Sequence, residues 1–269
     1  MNIRNLPPKF LSAMIALLPL PGAPLYDGDD QRIIDHALFD LEAYKKVGVD
    51  SVFLENDNDR PYVRPPMTRE AVELVTTIGK ELRSRFEGPI GIQMLEQAYE
   101  ESLKIALDAD LDYLRIEAYV FAHVGSAGII EGCAGKLLRL RKQLNGEHLK
   151  IFADVQKKHA AHALTADLDI TDEIRQGELC LADGFVITSQ FTGMEPKADD
   201  LVKASGATQL PLIIGSGMTP ENISKFYGLA DGFIVGSAFR KNGNFLDELD
   251  QQRLQSFMKA FRKLRGSDS

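Results

Sequence analysis

The sequence predicts a single (β/α)8 barrel, and three observations carry that expectation. Short, almost wholly apolar runs alternate with amphipathic stretches, as parallel strands buried on both faces alternate with covering helices. Eight such units can be counted along the 269 residues, and barrels of about 250 residues commonly form one domain. The last two strands, at Leu212-Ile213-Ile214 and Phe233-Ile234-Val235, each run into glycine and serine. In such a barrel the loops after the final two strands bind phosphate through backbone N–H groups and a helix N-terminus. Glycine is also an ordinary turn residue, and an open doubly wound sheet shows the same alternation. The unit count and the glycine pair favour the closed form.

Taken in order, the first strand is expected over Met14 to Leu18, ahead of the proline-rich loop that reaches Asp27. A helix from Asp29 to Val47 places Ile33, Ile34, Ala37, Leu38, Leu41 and Tyr44 near the spacing of a buried stripe, and Gly48 ends it. Ser51 to Leu54 is the second strand, followed by the polar loop Glu55 to Pro61; Thr68 to Phe86 is helical. The third unit pairs a strand at Ile90 to Leu95 with a helix at Tyr99 to Ala109. The fourth pairs Tyr113 to Glu117 with a helix at Ile129 to Leu144, across a long loop rich in small residues. The fifth strand is Ile151 to Val155, and its helix runs from Asp167 to Gly177 with Asp167 or Asp169 as N-cap. Gly184 to Ile187 forms the sixth strand, with the loop Thr188 to Gly193 and a helix through Leu201-Val202-Lys203. Thr219-Pro220-Glu221-Asn222 starts the short helix between the last two strands. Leu249 to Leu264 closes the fold, and Gly266 to Ser269 is expected to fray.

Bulk properties narrow the function. A hydrophobic content of 44% and a charged content of 26% supply a core and argue against disorder. The net charge of −8 disfavours nucleic acid as a partner. Cys133 and Cys180 form no CxxC and read as thiols in a reducing compartment. Arg4 and Lys9 before an apolar run resemble a short signal peptide, but the barrel needs that run as its first strand. No run reaches the ~18 apolar residues of a membrane span. The expectation is a cytoplasmic protein of one domain over 1–269, its core at about 13–264, with self-association left open.

Chemistry in such a barrel sits where strands enter their following loops. Those positions hold Glu55, Asn56 and Asp59; Gln93 and Glu96; Arg115 and Glu117; Asp154, Lys158 and His159; and Thr188. Asp154 interrupts an apolar strand, and a charge placed there needs a partner or ligand. Asp59 before Arg60-Pro61 could equally shape its loop, and Arg115 with Glu117 could be a structural pair. Lys158 suits a Schiff base or a phosphate contact, whereas its neighbour Lys157 reads as a solvated loop lysine. Asp154 with His159 and His162 is the one metal alternative, and no ligand spacing supports it. No cofactor is expected. GxSxG, a Rossmann turn and a P-loop are all absent.

With these loops assembled the chain resembles the BtpA/SgcQ family of barrels from about Ala13 to Phe257. The likeness rests on Leu20-Pro21-Gly22-Ala23-Pro24, on Glu55-Asn56-x-x-Asp59-x-Pro61-Tyr62, and on Gly128-Ile129-Ile130-Glu131-Gly132. It continues through Ala153-Asp154-Val155-x-x-Lys158-His159-Ala160, Gly215-Ser216-Gly217-Met218-Thr219-Pro220-Glu221-Asn222, and Ala230-Asp231-Gly232-Phe233-Ile234-Val235-Gly236. Departures cluster at the mouth: Ala16 stands where the family pattern has histidine, Gln93 and Glu117 where it has asparagine, and Ser189 where it has glycine. The resemblance implies a barrel with a phosphate-type pocket more firmly than it implies a reaction.

Two functional expectations follow. The first is an enzyme of isomerase or aldolase/lyase type acting on a small phosphorylated metabolite, a phosphosugar or nucleotide-like compound. Gly215, Ser216, Gly217, Gly236 and Ser237 would hold the phosphate, and Asp154, Glu55, Asp59 and Lys158 would carry catalysis. Asn56, Arg115, Glu117, His159 and Thr188 would bind substrate. The second is a non-catalytic biogenesis or stability factor for a membrane complex, as the resemblance suggests through the family's association with photosystem I.

Overall fold

Residues 6–189 and 194–267 are described by a computed structural model of the chain. Eight parallel strands close into a barrel. They are β1 (Phe10–Ala16), β2 (Ser51–Glu55), β3 (Ile90–Gln93), β4 (Tyr113–Ile116), β7 (Lys150–Val155), β8 (Gly184–Ile187), β9 (Leu212–Ile214) and β10 (Gly232–Val235). Neighbouring strands follow the chain around the ring, and β10 pairs with β1 to close it. A small antiparallel hairpin, β5 (His123–Gly125) and β6 (Gly128–Ile130), stands outside this ring.

Alternation along each strand sorts its side chains between two cores. Phe10, Phe53, Tyr113, Phe152, Val186, Ile213 and Ile234 fill the interior of the barrel. Leu11, Ala13, Ile15, Val52, Leu54 and their equivalents point outward, beneath the helices. Gly91 is required by this packing, since a Cβ there would stand 2.2 Å from the Tyr113 ring. The Tyr113 hydroxyl is satisfied inside the barrel by Ser12 and Ser51 at 2.9 and 3.0 Å.

The helices start and stop where the sequence has capping residues. Asp29 accepts from the Arg32 amide to open α1 (Asp30–Val47), and Gly48 closes it at φ 66°. Thr68 caps α2 (Arg69–Arg85) through the Ala71 amide. The remaining helices are α3 (Tyr99–Asp108), α4 (Ala134–Gln143), α5 (Ile170–Leu179), α6 (Ala198–Ala207), α7 (Ile223–Phe226) and α8 (Gln251–Ser267). Of the two candidate caps for α5, Asp169 takes the role, in a reciprocal capping box with Asp172. In α1, Asp40 is fully buried and forms an ion pair with Arg240 beyond β10, tying the first unit to the last.

Three of the boundary differences from expectation bear on the reading of an element. The first strand begins at Phe10, four residues before Met14, because Phe10 and Ser12 supply its inward positions against Gly232 and Ile234. Ile129 and Ile130 belong to the hairpin, not to a helix, which begins only at Ala134; Gly128 at φ 104° makes the turn. The final helix continues through Gly266 to Ser267, where fraying was expected. Gln190 to Gly193 of the sixth loop lie outside the described residues, as do Asp268 and Ser269.

Candidate functional site

The alternation that fills the barrel also aims its upper side chains. Counting by twos from Ser51 and Phe53 brings Glu55 inward. The same count takes Gly91 to Gln93, Tyr113 to Arg115, Phe152 to Asp154, and Val186 to Thr188. Above this layer lies a cavity of about 170 Å3, lined by Glu55, Asp57 and Lys158 on one side and by Gly215–Thr219 and Gly236–Ala238 on the other.

The loop after β9 is shaped by its own backbone and by Asn222. The Asn222 amide donates to Gly217 O at 2.9 Å, and its Oδ1 accepts from Thr219 N at 2.8 Å. Gly217 adopts φ +77°, and a Cβ there would stand 1.8 Å from the Met194 carbonyl oxygen, so only glycine fits. The five residues expected to hold phosphate all line this cavity. Their parts differ. The Gly215 amide is committed to Ile187 O at 3.0 Å, so Gly215 contributes only the space that a side chain would fill. The amides of Ser216, Gly217 and Ser237 donate to no acceptor among the described residues, and oriented amides of this kind form anion sites. Arg253 of α8 reaches the same cavity, its Nε donating to Ala238 O at 3.1 Å.

On the opposite wall the charges are tightly buried. Arg115, 2% exposed, donates from Nε to Asp154 Oδ1 at 2.9 Å and lies 3.9 Å from Glu55 Oε2. Burial, with Asp57 adding to it, pushes the Glu55 carboxyl up to about 7 despite Arg115. Burial likewise raises Asp57, against the pull of Lys158 and Arg115. Lys158 moves the other way: burial lowers its amine, and Arg115 reinforces that against Glu55, Asp57 and Asp154. The Lys158 amide donates to Thr188 Oγ1 at 3.3 Å, so Thr188 positions the lysine's backbone. A carboxyl that holds its proton to about 7, a second carboxyl and a softened amine around one space can move protons between substrate atoms.

Other expected site residues are placed elsewhere. Asn56 accepts from Leu95 N at 2.8 Å and donates to Asp59 at 3.2 Å, while Asp59 accepts from Leu20 N at 2.7 Å. These bonds tie the first three loops together beside a separate cavity of about 80 Å3. Glu117 turns to Lys157, with which it forms an ion pair, and accepts from Gln97 N at 2.8 Å. Lys157 is therefore buried, not solvated as its loop position suggests. Burial opposes its charge, but Glu117 and Glu96 outweigh this and raise its amine. His159 is exposed and lines a wider depression with His162. Among the described residues no cluster of three or more His, Cys, Asp or Glu is arranged to hold a metal ion.

Sequence reasoning missed Asp57, Arg253 and the role of Lys157. Asp57 was legible, since the period of two that aims Glu55 also aims Asp57. Arg253 carried no local signal, because a helical residue sixteen positions past Ser237 gives no hint of reaching back to its loop.

Comparison with known proteins agrees with this architecture. The BtpA family model matches residues 8–263, and the chain belongs to that family. It is 36% identical to an uncharacterized protein of Caenorhabditis elegans named as mitochondrial, over 91% of this chain and 90% of that one. It is 32% identical to the photosystem I biogenesis protein BtpA of Synechocystis, over 92% of this chain and 86% of that one. Among solved structures, KGPDC from Streptococcus mutans aligns at a TM-score of 0.58 with 13% identity, covering 97% of this chain and all of that one. The 3-hexulose-6-phosphate synthase of Salmonella typhimurium aligns at 0.58 with 14% identity, covering 94% and 99%. At such identities these two likenesses establish the fold. Among the described residues no helix is long and apolar enough to cross a membrane.

Proposed function

We propose that this BtpA-family barrel is an enzyme that binds a small phosphorylated carbonyl compound and moves a proton within it, in an isomerase-type reaction. One observation carries the reading: the amide-lined loops after β9 and β10 share a single cavity with Glu55, Asp57 and Lys158. A phosphoryl group at Ser216, Gly217 and Ser237 would anchor the substrate, with Arg253 at the rim. The adjoining carbon then faces the carboxyl pair. Asp57 as carboxylate takes the proton from the carbon beside the carbonyl while protonated Glu55 donates to the carbonyl oxygen, giving an enediol; reversal onto the other carbon completes the isomerisation. The positive charges of Lys158 and Arg115 offset the negative charge that develops. The 3-hexulose-6-phosphate synthase, and the phosphoribosyl anthranilate isomerase of Thermus thermophilus that shares the fold at 11% identity and a TM-score of 0.57, support the choice of chemistry only by analogy of fold.

The lowered amine of Lys158 also fits a lyase that forms an imine with the substrate carbonyl, releasing water. Borohydride reduction in the presence of substrate separates the two: a lyase is trapped covalently on Lys158, an isomerase is not. The isomerase reading itself is tested by incubating the protein with a sugar phosphate panel in deuterated water. Exchange of a carbon-bound hydrogen, lost in Glu55→Gln and Asp57→Asn, is the expected result. Phosphate-dependent binding without exchange, cleavage or trapping for any compound would leave the assembly-factor reading suggested by the Synechocystis relative's name.

A further inference from the structure

We infer that Glu173 of α5 is a positioning residue: by holding the backbone amide of Gln156 it turns the chain after β7 so that Lys158 faces the central cavity. Where the lysine points follows from geometry alone. That it meets a phosphorylated substrate there rests on the proposed function.

Continued as a strand, β7 would send Gln156 to the side that Asp154 takes and Lys157 to the other. The chain does otherwise. Gln156 is exposed, at a left-handed φ of 47°, and both lysines are drawn toward carboxyls of other strands' loops. Lys157 pairs with Glu117, and Lys158 joins Glu55 and Asp57 in the cavity lining. His159, at φ 59°, ends the turn. Left-handed backbone is unfavourable for residues with a side chain, so the turn has to be held from outside.

Three side chains hold three of its backbone groups. Glu173 Oε1 accepts from Gln156 N at 3.2 Å, His162 donates from Nε2 to Lys157 O at 2.9 Å, and Thr188 Oγ1 accepts from Lys158 N at 3.3 Å. Backbone groups that leave a strand ladder need such partners. Glu173 grips the first of them, at the residue whose φ makes the turn. The carboxyl is kept there against its own charge. Burial, with Asp154 adding to it, pushes Glu173 up to about 7, and only the bond from Gln156 N pulls the other way.

The test needs no ligand. The Lys158 amine is titrated by NMR in the full chain carrying isotope-labelled lysine, with Lys158→Met identifying its signal. In the unaltered protein burial lowers this amine, and Arg115 adds to that. Glu173→Met keeps the volume but accepts no hydrogen bond; it should release the turn and raise the titration by about one pH unit or more. Glu173→Gln still accepts from Gln156 N and should leave the titration in place. Glu173→Ala makes the same comparison if methionine strains the loop. An unmoved Lys158 titration in Glu173→Met or Glu173→Ala overturns the inference. So does a shift in Glu173→Gln as large as in Glu173→Met, which would make the charge, not the bond, responsible. Calorimetry with inorganic phosphate adds a second readout: affinity in Glu173→Met should fall as far as in Lys158→Met, and no further in the double variant. Additive losses overturn the inference. If Lys158→Met binds phosphate as the unaltered protein does, the substrate reading loses its lysine, and the titration alone decides the positioning role.

Discussion

The two halves of the barrel mouth use charge in opposite ways. Over β3 and β4 the protein answers its own charges: Lys157 meets Glu117 and Glu96, Gln97 N donates to Glu117, and Ser126 of the hairpin donates to Glu96 at 2.9 Å. Over β9 and β10 there is almost no side chain, only glycine, serine and amides without acceptors among the described residues. Arg115 lies at the seam, holding Asp154 on one side and passing beneath Gly215 on the other. A closed network of charges holds a shape, whereas an open set of donors leaves hydrogen-bonding capacity for a ligand. Charged residues at strand ends are therefore not all functional, and those with every partner inside the protein are better read as struts.

The largest effect should come from the seam. Arg115→Met leaves Asp154 and Glu55 buried without their cation, at a cost of about 3–5 kcal/mol; urea unfolding should register it. A loss under about 1 kcal/mol would show that water, not Arg115, satisfies these acids. Next, Lys157→Met should cost about 3 kcal/mol and leave inorganic phosphate affinity within about twofold. Burial already raises the Glu117 carboxyl, so without Lys157 it keeps a proton, and the cost should grow as pH rises. If the variant instead weakens phosphate binding, the two halves are coupled and the contrast fails.

On the open half, Ser237→Asp places a carboxylate among the anion donors. It should weaken inorganic phosphate binding about 100-fold, or about 2.7 kcal/mol, with little change in melting temperature because Ser237 is only half-buried. The smallest effect is on pH dependence. Glu55 holds its proton to about 7 when folded, while the unfolded carboxyl releases it near about 4.3. Between these values the native state binds more protons, so stability is highest at the acid end and falls as pH rises toward 7. Glu55→Gln should flatten that slope in unfolding curves taken across the window. Asp57 and Glu117, also raised by burial, slope the same way and remain in the variant. His123, lowered to about 4 by burial, opposes them as pH falls below its ordinary range.

Much of this was legible in the chain. Helix starts were legible near Asp29 and Thr68, because a cap is satisfied within three residues, whereas the choice between Asp167 and Asp169 was decided only by the structure. The glycine-ended strands β9 and β10 announced the amide-lined loops that we propose hold phosphate, since steric permission is a property of the residue itself. The helix expected at Ile129 is absent because a hairpin and a helix both accept a short apolar pair, and Gly128 fits a loop as readily as a turn. Asp59 and Asn56 resembled site residues until their bonds to Leu20 and Leu95, far away along the chain, accounted for them.

What the amino-acid order determined alone was the scaffold: a period of two sends Phe53 and Glu55 to the same side of β2, and local caps punctuate the helices. Which charges answer one another was decided only on closure of the ring. Lys157 and Lys158 are adjacent in sequence, yet one is matched to Glu117 and the other faces the cavity. Coulomb energies depend on distance through space and on burial, and neither quantity exists for a charged residue until strands far apart in the chain lie side by side.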